Sequence, residues 1–330
     1  MKANLRFCDI KDPLPERILN KMRKAAFEDV TLYPQNYGKL VSRLARKLKV
    51  KQENIVLVNG VDEGIELMSR AFGKDILIFP PTYYELKDAP ERNGLKLTEK
   101  YSFDGKAYRV RATGRDLKNR SLVFLCNPNM PFGLLTRKEI GSIASRTRGV
   151  VAVDETYMDF TGETSLPLLR KRKNLLILRS FSKGYSLAGL RIGYIIGSKR
   201  LIDRIKAIKM VCNVTSVSVN SAMVVLGEEK YFNGLRKDII SRKDRFETLL
   251  KERGFRVLDT ETNVVLVKFP SAGKASSFVR FLESKGIAVN QGNGLSTCGL
   301  DRSFVRFACG TEAQMRHVSN VIRKRYRVVR

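Results

Sequence analysis

The chain has 330 residues, 62 Lys and Arg against 33 Asp and Glu, a net charge of +29, one His, five Cys and no Trp. At 43% hydrophobic residues it can bury a sizeable core, divided between a large and a small domain, which excludes global disorder. No apolar run approaches the ~20 residues needed to cross a bilayer, and a polar N-terminus replaces a signal-peptide core, so a soluble cytoplasmic protein is expected.

The cysteines, Cys8, Cys126, Cys212, Cys298 and Cys309, are odd in number and scattered, which predicts free thiols rather than disulfides or a zinc site. With His317 as the only imidazole, a multi-His metal centre is impossible, and the chemistry falls to Lys, Tyr or carboxylates. The basic residues are spread along the whole chain at helical spacings, and that dispersal predicts a solvated face with no nucleic-acid partner.

In chain order, Ile55–Val58, Ile76–Phe79, Leu122–Cys126, Val150–Val153, Leu175–Leu178 and Ile192–Ile196 are short β-rich runs separated by helical stretches. This alternation predicts an α/β fold with a mainly parallel mixed sheet flanked by helices. Val61, Ile65, Met68 and Phe72 recur at helical spacing and predict a helix over Asp62–Phe72 with that face buried. After about Tyr231 the pattern changes to a long charged helix (Leu235–Arg253), strands at Phe255–Leu258 and Val264–Phe269, a helix at Lys274–Gly286, a strand at Ser303–Ala308 and a closing helix at Glu312–Tyr326. The expected division is a large domain at 30–232 and a smaller α+β domain made of 1–29 and 233–330.

Ligands of parallel sheets bind beyond the carboxyl ends of the strands. There the sequence places Asn127-Pro-Asn-Met-Pro-Phe-Gly133, Asp154-Glu-Thr-Tyr157 and Arg179-Ser-Phe-Ser-Lys183-Gly184, while the helix after Asn59-Gly60 offers free N–H groups to a phosphate. Ser180, Ser182, Lys183 and Arg191 form a compact constellation that binds anions and carries an amine.

This last segment resembles the lysine motif of class I/II (fold-type I) pyridoxal-phosphate (PLP) aminotransferases. Gly60–Leu67, Pro80–Tyr83, Asp154–Tyr157 and Val305–Thr311 follow the order and spacing of the histidinol-phosphate aminotransferase branch, from about Tyr33 to Thr311. The resemblance implies that Lys183 carries the cofactor as a Schiff base and serves as acid and base, and that Asp154 keeps the pyridine nitrogen protonated. It further implies that Tyr157 bonds the phenolic oxygen, that Tyr83 stacks on the ring, and that Ser180, Ser182, Arg191 and the N–H groups of Val61 and Asp62 hold the phosphate. Arg306 corresponds to the arginine that grips the substrate carboxylate, and Tyr33 to the tyrosine reaching the neighbouring subunit of a homodimer.

The sequence departs from the family at three places. Met130 stands where an asparagine donates to the phenolic oxygen, Asn290 where an arginine meets the substrate's distal anion, and Asp9-Ile-Lys-Asp-Pro13 where Asn-Glu-Asn-Pro is usual. Transamination between an amino acid or amino phosphate, histidinol phosphate by resemblance, and a 2-oxo acid such as 2-oxoglutarate is the expected activity. A PLP decarboxylase such as threonine-phosphate decarboxylase is the alternative on the same scaffold, and a non-catalytic, basic nucleic-acid-binding protein is a third reading.

Overall fold

The computed structural model describes residues 2–27, 30–293 and 297–328. A short strand β1 (Ala3–Asn4) precedes helices α1 (Glu16–Phe27) and α2 (Tyr37–Leu48). Strands and helices then alternate: β2 (Ile55–Val58), α3 (Gly60–Phe72), β3 (Asp75–Ile78), α4 (Glu85–Arg92), β4 (Lys96–Glu99), α5 (Gly114–Lys118), β5 (Leu122–Cys126), α6 (Arg137–Arg146), β6 (Val150–Asp154), α7 (Met158–Thr161), β7 (Leu175–Ser180), β8 (Gly193–Gly197), α8 (Lys199–Lys206) and α9 (Ser216–Val225). The long α10 (Glu229–Lys251) leads to β9 (Arg256–Leu258), β10 (Val264–Lys268), α11 (Ala272–Ser284), β11 (Ile287–Ala288), β12 (Asn290–Gln291), β13 (Phe304–Ala308) and α12 (Glu312–Arg325).

Seven strands form the main sheet in the order β2-β8-β7-β6-β5-β3-β4. Every residue of β5 and β6 is buried, and all but the closing Asp154 are apolar, as parallel strands covered by helices on both faces require. Burying each such Val or Leu is worth about 1.5–3 kcal/mol relative to exposure. Helix α3 begins at Gly60, ahead of the expected start, and buries Val61, Ile65, Met68 and Phe72 as their spacing predicts.

The sheet is mainly parallel and mixed, as expected, with two features that the sequence left unspecified. The strand at Gly193–Gly197 runs antiparallel to both β7 and β2, since the connection from β7 holds only a short 3-10 turn and no crossover helix. Strand β4 went unforeseen because its Lys-Leu-Thr-Glu sequence lies on the sheet edge, half exposed, where no apolar run is required.

A four-stranded antiparallel sheet, β12-β13-β10-β9, carries the C-terminal half, and β1 pairs in parallel with β11 beside it. The N-terminal segment is shared between the two halves. Its first residues join β11, whereas α1 lies on α9, held by Asn220 to the Ala25 carbonyl (2.8 Å) and by Arg17 and Lys21 to Glu228. In the small sheet, Arg306 on β13 stands between Leu266 on β10 and Asn290 on β12. All five cysteines are free.

Candidate active site

The parallel strands β2, β3, β5, β6 and β7 all end at one edge of the main sheet, so the segments that follow them meet there. One cavity at that edge is lined by Val61, Asp62, Tyr83, Asp154, Thr156, Tyr157, Ser180, Ser182, Lys183, Ala188 and Arg191. Nine of the residues singled out in the sequence therefore share a single space. Arg306 and Tyr33 are not in its lining.

Asp154 closes β6 and is almost wholly buried. Thr156 donates to its Oδ1 through both backbone N–H (2.9 Å) and hydroxyl (2.6 Å), while Oδ2 has only the Cys126 thiol at 3.9 Å. Burial pushes this carboxyl up to about 6, against the pull of the Thr156 hydrogen bonds. A buried carboxylate with one oxygen held and the other nearly free is a partner for a cation or an N–H that has yet to arrive.

Lys183 follows β7, and its amine makes no hydrogen bond or ion pair among the described residues. Burial lowers its pKa, opposed by Cys8 and Asp9 and assisted by the guanidinium groups of Arg306 and Arg191. A lowered amine pKa raises the share of the neutral form, which is the nucleophile and the proton acceptor. Its nitrogen lies 5.8 Å from the centre of the Tyr157 ring. Tyr157 is itself pushed up by burial and by the neighbouring Cys8 thiol, so it keeps its proton and can donate it to a bound oxygen.

At the far end of the cavity, the first turn of α3 presents backbone N–H groups without intrahelical partners. Gly60 has φ +74, and a Cβ there would stand 2.5 Å from Arg191 Nη2, so glycine allows the guanidinium to close on the turn. Arg191 donates to Asp62 Oδ2 at 2.6 Å and Tyr83 donates to Asp62 Oδ1 at 2.7 Å. Together with the Ser180 and Ser182 hydroxyls this makes an anion cradle whose arginine rests on Asp62.

The residues expected to meet the substrate are placed differently. Arg306 is buried, donating through Nη1 to the Thr297 hydroxyl (2.6 Å) and through Nη2 to the Arg6 carbonyl (3.1 Å). Asn290, its cross-strand neighbour, donates to the same Arg6 carbonyl at 2.9 Å. Met130 is fully buried in the apolar cluster that also holds Cys8, Cys126 and Tyr157. Neither nearby asparagine replaces it. The Asn127 amide is bound to both backbone groups of Leu135, and that of Asn129 donates to the Pro81 and Phe132 carbonyls while accepting from Thr82. Tyr33 is exposed on the surface.

Sequence reasoning missed three contributors. Thr156 carried a signal, since a hydroxyl two residues after a strand-end aspartate is placed to bond it. The Asp62 carboxylate and Cys8 carried none, because their roles depend on Arg191, Tyr83 and Tyr157, which are distant in sequence.

These residues fit a phosphorylated pyridine aldehyde. The cavity offers a free amine for the carbonyl, a half-satisfied buried carboxylate for the ring nitrogen, and a helix N-terminus with an arginine for the phosphate. Residues 2–322 match the family of aminotransferases of class I and II. The chain is 32% identical to histidinol-phosphate aminotransferase 1 of Carboxydothermus hydrogenoformans over 311 residues, covering 92% of this chain and 87% of that protein. It superposes on the histidinol-phosphate aminotransferase of Clostridium acetobutylicum with a TM-score of 0.86 at 25% identity, covering 98% of each chain. The enzyme of that name from Sinorhizobium meliloti, solved in complex with pyridoxal-5'-phosphate, gives 0.86 at 23% identity, covering 98% of this chain and 91% of that one. With a match over nearly its whole length and a cavity of this composition, the chain belongs to the class I and II aminotransferases and is a PLP-dependent enzyme of that family.

Proposed function

We propose that this aminotransferase takes its amino group from histidinol phosphate and passes it to 2-oxoglutarate, a step of histidine biosynthesis, as a homodimer in the cytoplasm. The single observation carrying the site assignment is the cavity that joins Lys183, Asp154, Arg191 and the α3 N-terminus. The names of the relatives support the substrate, and no helix among the described residues is long and apolar enough to cross a membrane.

In this reading Lys183 would hold PLP through its amine and, with the substrate bound, would take the Cα proton and return it. PLP supplies the electron sink that makes the Cα proton acidic. Asp154 holds the proton on the ring nitrogen, and burial makes that charge pairing strong. Tyr157 donates to the phenolic oxygen alone, because Met130 cannot. Ser180, Ser182, Arg191 and the N–H groups of Val61 and Asp62 would hold the phosphate. Tyr83 covers the ring face, and Tyr33 reaches the phosphate of the partner subunit. Arg306 grips the 2-oxo acid carboxylate with two parallel hydrogen bonds. With Asn290 where the family places an arginine, the distal phosphate of the donor receives hydrogen bonds from an amide without a formal charge.

The test is an absorbance titration of the purified enzyme with PLP, followed by L-glutamate or histidinol phosphate, with Lys183→Ala alongside. A visible band that depends on Lys183 and is bleached by histidinol phosphate at micromolar concentration supports the proposal. Bleaching by glutamate alone removes histidinol phosphate as the donor, and release of CO2 without a 2-oxo acid replaces transamination by decarboxylation.

A further inference from the structure

The basic residues are dispersed in sequence, and dispersal predicts a diffuse, solvated charge. The topology regroups part of that charge. Strands β3, β5, β6 and β7 are parallel, so the residues just before them share one edge of the sheet, opposite the edge that holds the cofactor site. Strand β8 is antiparallel and delivers the residues that follow it to the same edge. Lys74 precedes β3, Arg148 lies just ahead of β6, the run Arg170-Lys-Arg-Lys173 just ahead of β7, and Arg200 comes after β8.

Arg70, Lys74, Arg148, Arg200 and Arg204 line a cavity of about 340 Å³ at this edge, and no carboxylate lines it. None of the five forms an ion pair among the described residues. The neighbouring acids are taken, Asp75 by Lys96 and Arg120, and Asp203 by Lys199. Arg204 is held in place by the Ala71 carbonyl at 2.6 Å and lies over the Phe72 ring. Helix stabilisation accounts for Arg70 and Arg204 in the last turns of α3 and α8, but not for Arg200, which sits in the first turn of α8 where the helix dipole disfavours cations.

We propose that this edge binds the phosphate backbone of double-stranded nucleic acid without sequence preference. The basic segments run from β8 to β3, five adjacent strands at about 4.8 Å spacing, so they span roughly 19 Å, the length of about six base pairs, which is more than one small phosphate ligand occupies. Arginine predominates at the cavity, and its planar fork matches phosphate oxygens. None of the large hydrophobic residues exposed among the described ones lines this cavity, and its one aromatic, Phe72, is buried beneath Arg204, so the cavity offers neither an open aromatic platform for unpaired bases nor an anchor for a membrane.

The experiment uses the PLP-loaded enzyme and a fluorescein-labelled duplex of 20 base pairs, read by anisotropy between 50 and 200 mM salt. Five phosphate contacts give a log–log slope of about −4.5, a weakening of roughly 500-fold over that range. The triple variant Arg70→Glu, Lys74→Glu, Arg148→Glu should bind at least tenfold more weakly with a slope nearer −2, while its PLP band is unchanged. The control triple Arg316→Glu, Arg323→Glu, Lys324→Glu on α12 makes the same charge change away from the edge and should lose less than threefold. Equal losses in both variants, or no duplex binding at 50 mM salt, would overturn the proposal. So would equal affinity for tripolyphosphate, which would make this a small-anion site, or for phosphatidylserine vesicles, which would make it a membrane surface.

Discussion

The residues proposed to hold the cofactor and those proposed to meet the substrate are positioned by different means. Asp154, Ser180 and Lys183 sit on or directly after strands β6 and β7, so forming the sheet delivers them to the cavity. Arg306 and Asn290 are on the separate small sheet and share the Arg6 carbonyl, which belongs to a segment almost the whole chain away. The first set is fixed by local sequence and register. The second depends on long-range docking of the segment that follows the N-terminal strand. All three departures from the family pattern fall outside the lining of the cofactor cavity.

That contrast can be broken most severely at Lys183. Lys183→Ala should lower the rate of the glutamate half-reaction by at least ~10³-fold, followed by stopped-flow absorbance at saturating PLP, because proton transfer at Cα loses its acid and base. A loss confined to KM would refute the assignment.

Asp154→Asn comes next, with an expected fall of about 10²-fold in kcat as the ring nitrogen loses its charged partner. The same residue gives the apoprotein a pH dependence. Its carboxyl stands at about 6 when folded against an ordinary 3.8, so the folded state takes up a proton that the unfolded state has released. Stability should therefore decline by up to about 3 kcal/mol as pH rises from about 4 to 6 and then level off. Thermal melts of the PLP-free protein across this range should show the slope, and Asp154→Asn should remove it.

On the substrate side the expected effects are smaller and fall on binding. Arg306→Lys keeps the charge and loses the fork, which should raise KM for the 2-oxo acid by about tenfold with kcat changed less. Asn290→Arg should sharpen the contrast in the opposite direction, lowering KM for histidinol phosphate several-fold through a charge-assisted bond and leaving the glutamate half-reaction unaltered. Both are read from steady-state kinetics on the two substrates. A change in the PLP absorbance band with either variant would mean that the two sets are not separable.

Much of this was legible in the residues themselves. The apolar runs at Leu122–Cys126 and Val150–Val153 pointed to buried strands, and a lysine, two serines and an arginine within Ser180–Arg191 pointed to an anion site; the structure buries both runs and gathers those four residues around one cavity. Residues that act through sequence neighbours could be read in this way, because covalent connection already limits where they can be. The edge strand β4 and the reversed direction of β8 could not, since an edge needs no apolar pattern and strand direction depends on what the connection packs against. Only the tertiary structure decided that Asp62 holds both Arg191 and Tyr83, that Cys8 stands against Tyr157, and that Arg6 serves Arg306 and Asn290. It also decided that basic residues spread from Arg70 to Arg204 share one edge. Each of these pairings joins residues far apart in the chain, and such contacts are chosen by the packing of whole elements rather than by any local preference.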